Sequence, residues 1–132
     1  MKYPIYFTIL YAIYSVALSL APAHAGDCMI MDAGPQAVEG KISIEQRRDA
    51  ADRLEYPYIL TPFSHACLDG KDPKFEAIET KTVHIFSSND ALHARLKSYV
   101  GKTVLVWGTP FEAHTAHHHA PIVMDITKIV AD

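Results

Sequence analysis

Residues 83–107 read VHIFSSNDALHARLKSYVGKTVLVW, and the apolar period changes twice within them. Up to Phe86 the apolar side chains alternate, Val83 and Ile85 sharing one face, as in a half-buried strand. Ser87-Ser88-Asn89-Asp90 then supplies side-chain oxygens that accept from orphan helix amides, with Asp90 three positions after Ser87. Leu92, Leu96 and Val100 fall on one helical stripe. Lys97 lies in the last turn, and Gly101 suits the left-handed cap. From Lys102 to Phe111 the period returns to two, with Val104 and Val106 facing one way and Leu105 and Trp107 the other.

The flanking sequence supplies three more strands. From Val38 to Glu45 the apolar positions are Val38, Gly40, Ile42 and Ile44. Gln46 to Glu55 is charged, has a thin apolar face and reads as a long solvated loop. A second strand spans Tyr56 to Thr61, where Pro57 and Pro62 point to an edge or bulge position. Residues 64–79 are polar and read as irregular, with turn signals at Asp69-Gly70 and Asp72-Pro73. A last strand, Ile122 to Val130, carries Ile122, Met124 and Ile126 on one face, and Glu112 to Pro121 is the hairpin tip before it.

The resulting order, β-β-β-α-β-β, predicts a mainly β domain with one helix. It matches a five-stranded OB-fold-like barrel, in which the helix lies between the third and fourth strands. An open antiparallel sheet packed on one helix is the alternative.

The N-terminus reads as an export signal. Lys2 precedes an apolar run from Ile5 to Leu20 that carries no charge. Pro22 breaks it, and Ala23-His24-Ala25 places small residues at the two positions a signal peptidase reads. The run is shorter than the ~18 residues of a membrane span. The predicted domains are therefore a signal peptide at 1–25 and a single domain at 26–132, periplasmic or secreted. Removing residues 1–25 takes away one base and no acid, moving the net charge from −3 to −4. A mildly acidic domain lacks the cationic surface that drives nucleic-acid binding and offers no basic patch to anionic lipid. A monomer that binds neither nucleic acid nor membrane is expected. Cys28 and Cys67, an even pair in an exported chain, are expected to form a disulfide worth roughly 3–4 kcal/mol.

Chemistry concentrates in HTAHHHAP, residues 114–121. Imidazole is the commonest side-chain ligand for transition metals near neutral pH. In an extended loop His117 and His119 project to one side and His118 to the other. His117 and His119 are thus candidate ligands for zinc or copper. His114, Glu112 or Asp125 would supply a third position, and Thr115 and His118 would contribute binding contacts. The plainer reading is a solvated tip, or imidazoles that satisfy backbone groups at the barrel mouth. His84 and His93 stand alone, as surface or satisfied core histidines do, and a nucleophile pairing His65 with Cys67 is incompatible with the expected disulfide. No Gly-x-Ser-x-Gly elbow, Gly-rich phosphate loop or His-Glu-x-x-His helix is present. The aromatics Tyr56, Tyr58, Phe63, Phe86 and Trp107 suit either a stacking surface or a barrel core.

One pattern runs through Leu96, Val100, Gly101, Lys102, Val104, Gly108, Phe111, Ala113, Thr115, His117, His118 and His119. It resembles the C-terminal signature of an uncharacterised family of small exported bacterial proteins. The resemblance implies export, a barrel-like fold and a histidine cluster that belongs to the domain design. It implies no activity. The residues themselves favour a non-enzymatic binding domain whose histidine-rich loop takes a divalent transition metal, another small ligand or an envelope partner. A small metal-dependent hydrolase and a periplasmic inhibitor or immunity-like module are the alternatives.

Overall fold

The computed structural model describes residues 27–132, and the predicted signal segment lies outside them. The strands are β1 (Met29–Ile30), β2 (Gln36–Ile44), β3 (Arg47–Arg48), β4 (Leu54–Glu55), β5 (Tyr58–Pro62), β6 (Ala66–Asp69), β7 (Ile78–Thr80), β8 (Val83–Phe86), β9 (Thr103–Glu112) and β10 (Ile122–Ala131). Between β8 and β9 lie a short helix, α1 (Asp90–Arg95), and a 3-10 turn, Leu96–Tyr99.

Five long-range strands close a barrel in the order β10-β8-β5-β2-β9. β9 pairs with both β2 and β10, so no edge is left open, and this closure decides against the open sheet. The β8–β10 pair is parallel and the other four are antiparallel. This is the OB-like arrangement that the strand and helix order predicts. The interior follows the alternation in the sequence: Ile42, Leu60, Val83, Ile85, Val106, Ile122, Met124 and Ile126 are fully buried. A register shift between Ile126 and Lys128 keeps Ile129 inside as the strand bends. Gly108 lies where β9 and β10 approach closely: a Cβ there would stand 2.3 Å from the Asp125 carbonyl oxygen.

The helix start is one residue pair later than the hydroxyl pattern predicts. Asn89, not Ser87, is the N-cap, and its side chain accepts from the Leu92 amide. The Ser87 hydroxyl instead donates to the Ile126 carbonyl at 2.7 Å, tying the helix entry to β10. Leu92 and Leu96 are buried, but Val100 is 36% exposed. The tightening to 3-10 geometry at Leu96 rotates Val100 off the stripe. Gly101 takes the left-handed cap, with φ +83°.

Two expectations fail in informative ways. The second strand begins at Tyr58 and is central, paired on both sides, so the two prolines frame its ends rather than mark an edge. Residues 64–79 are not all irregular: β6 pairs with β1 on one side and β7 on the other, in a three-stranded sheet. Leu68 is fully buried there, and the predicted disulfide joins Cys28 to Cys67 beside it. Closing 39 residues constrains the unfolded chain by about 4 kcal/mol in the chain-entropy model. Among the described residues no helix is long and apolar enough to cross a membrane.

Candidate metal centre

Two connections meet at one rim of the barrel. The first joins β2 to β5. Its charged residues are not a free loop but a small hairpin, Arg47 pairing with Glu55 and Arg48 with Leu54. Asp49 builds the tip: its Oδ1 accepts from the amides of Ala51 and Arg53, both at 2.9 Å. Its Oδ2 accepts from Arg53 Nε at 2.9 Å, and its side chain is only 4% exposed. Glu55 leaves this hairpin pointing toward the second connection.

That second connection, residues 113–121, joins β9 to β10 and is closed at its root by Ala113 N–H donating to the Pro121 carbonyl. Its histidines divide the work. His118 Nδ1 accepts from the amides of His114 and Thr115, at 3.0 and 3.3 Å, so its ring pins the turn from within. Burial, and then the neighbouring His114, push its pKa down, which keeps that acceptor free of a proton. His114 Nδ1–H donates to the Glu112 carbonyl, and its ring meets His118 edge to face at 4.7 Å. The Thr115 hydroxyl accepts from the His117 amide. Asp125 accepts from the Ser88 amide.

His117 and His119 turn toward Glu55. His117 Nδ1–H donates to one carboxylate oxygen, and His119 Nε2–H donates to the other at 2.5 Å. His119 and Glu55 have side-chain exposures of 7% and 25%, while His117 is 61% exposed. The bond from His119 does most to hold the Glu55 carboxyl below its ordinary range; burial opposes this, and His117 adds to the lowering. Donor atoms of Asp49, Glu55 and His117 all lie within 4.8 Å of one another. A tetrahedral zinc with bonds of ~2.0–2.2 Å spaces its ligands about 3.4 Å apart, so small rotations bring such a set to coordination distance. Imidazole and carboxylate without thiolate suit zinc, copper or nickel better than softer ions.

His84, on β8, lies beneath this loop. Its Nδ1 accepts from the His119 amide at 3.1 Å, fixing the backbone that carries His119. Burial, followed by the proximity of His119 and His118, lowers its pKa to about 4.

The structure thus brings His117 and His119 together, as their spacing suggests, though in a turn rather than an extended segment. It places His114, Glu112, Thr115 and His118 in the loop's own hydrogen bonding and Asp125 at the helix entry. The third donor, Glu55, lies 64 residues from His119 and was not among the sequence candidates. Nor was Asp49. Their only sequence signal was a charged connection between two strands. The aromatics do not form one stacking surface. Phe86 packs on Phe111 and Tyr58 on His93, Lys128 covers Trp107, and Tyr56 and Phe63 are exposed.

A family model described as a domain of unknown function, DUF4431, matches residues 82–130. That segment runs from β8 through β10 and holds the histidine loop, but it is well under half of the chain. It leaves out Glu55 and Asp49. A comparison with functionally curated proteins returns no match. Among solved structures, two crystal structures of Rim1, a mitochondrial single-stranded DNA-binding protein of S. cerevisiae, align at 13% and 14% identity. Each alignment covers 76% of this chain and 95% or 96% of Rim1, with TM-scores of 0.38 and 0.39. The OB-like assignment here rests on strand order, register and closure.

Proposed function

We propose that this chain is an exported, non-enzymatic binding domain for a divalent transition metal, held by Glu55, His117 and His119. The observation that carries the reading is the convergence of two imidazoles on the two oxygens of one carboxylate. A single ion would take the place of one of the imidazole protons, and the other ring would turn to reach it. Asp49 lies at the margin, its oxygens already accepting three hydrogen bonds, and reinforces the negative potential. Three protein ligands leave one coordination position for water or an outside ligand. The Cys28–Cys67 disulfide fits an oxidising compartment, which supports export.

Titration of tag-free protein with zinc, read by calorimetry, tests this. One equivalent is expected to bind, and His117→Ala combined with His119→Ala is expected to abolish it. Unchanged affinity in that double variant would remove the reading.

A further inference from the structure

Glu55 and His119 open onto a cleft of about 200 Å³ whose walls also include Tyr58, His84 and His93. Glu55 and His119 belong to the metal set, but His84 and His93 do not. Both of these rings are oriented by backbone amides. His84 Nδ1 accepts from His119 N–H at 3.1 Å, and His93 Nδ1 accepts from Ser87 N–H at 3.2 Å. A ring nitrogen that accepts carries no proton, so each ring bears its proton on Nε2. Two imidazoles on two different elements, β8 and α1, are therefore set as N–H donors with no acceptor left. Tyr58 meets His93 edge to face at 5.7 Å and steadies its plane. Glu55 is the only carboxylate among the cleft residues, and it is the one the metal would neutralise.

A cation beside two fixed N–H donors is complementary to a small oxyanion: one oxygen binds the metal and the others accept hydrogen bonds. We infer that the cleft is an oxyanion subsite, in which the metal held by Glu55, His117 and His119 takes a small phosphate or carboxylate oxyanion that also accepts from His84 and His93. The inference rests on the metal reading, and it makes binding ordered. Without the metal, Glu55 repels the anion.

Inorganic phosphate titrated into zinc-loaded and zinc-free protein tests it, with acetate as the carboxylate arm. Saturable binding of one equivalent is expected only with zinc present. His93→Phe, which alters no metal donor, is expected to weaken phosphate about tenfold, and His84→Phe likewise. Zinc affinity is measured on each variant, so that loss of metal and loss of anion are scored separately. If zinc binds but His93→Phe holds phosphate as the wild type does, the subsite is overturned and the metal reading stands. If zinc does not bind, both fall. Nitrogen NMR of the wild type gives a second check that needs no variant: both rings must be Nε2–H tautomers, and an Nδ1–H form of either would overturn the donor assignment.

Discussion

The barrel interior and the loop rim are stabilised by opposite kinds of interaction. Inside, Ile42, Leu60, Leu96, Val106 and Met124 belong to one apolar cluster and are fully buried. At the rim, histidines and an acid hold two connections together through hydrogen bonds. Interior energy is non-directional and scales with area, so it tolerates exchanges of similar volume. Rim energy depends on geometry and protonation, so one atom in the wrong place removes it. The interior therefore carries stability, and in the proposed site the rim would carry selectivity.

Leu96→Ala should separate the two most strongly. Leu96 is fully buried under the helix, and its truncation should cost about 3 kcal/mol in urea unfolding. Zinc affinity of the folded variant should be unaltered. A large loss of zinc affinity would show that rim and interior are not independent.

A smaller effect tests one place where the regions touch. The unfolded chain protonates His84 near pH 6.5, while the folded domain does so only near pH 4. Between those values the unfolded state binds more protons, so stability falls as the pH is lowered. The expected loss is on the order of 2 kcal/mol, allowing for solvent screening at a half-buried ring. Denaturation at pH 7 and pH 4.5 checks this, and His84→Gln should flatten the difference.

The smallest effect lies on the hairpin's outer face. Arg48 and Asp52 form an exposed pair at 3.6 Å, and Arg48→Ala should change stability by no more than about 0.5 kcal/mol. A larger change would mean that the hairpin tip is structurally coupled to the barrel.

The same contrast explains what the sequence disclosed. Val83, Ile85, Val104, Val106, Ile122 and Met124 announce their strands locally, because alternation is a property of neighbouring residues. The helix between β8 and β9 is equally local, apart from the 3-10 tightening that moved Val100 outward. The barrel order followed from these pieces. The β6–β7 pair did not, because its burial comes from Leu68 and a cross-link to the distant Cys28 rather than from an apolar period. The site was half visible. His117 and His119 stand out because they are clustered, but the partner that orients them is a single glutamate in a charged connection. Nothing in the residues around Glu55 distinguishes it from Glu45 or Asp52. Only barrel closure brings it to the histidines. His118 belongs to the same cluster, but its ring is occupied in shaping the turn.

The claim that matters most is that the site is made by two connections and not by the histidine loop alone. Zinc affinity of Glu55→Gln tests it directly, since the substitution keeps the shape and removes the charge that both imidazoles share. The two-connection site predicts a loss of at least about 100-fold, comparable with His119→Ala. Wild-type affinity in Glu55→Gln, with loss only in the histidine variants, would contradict it.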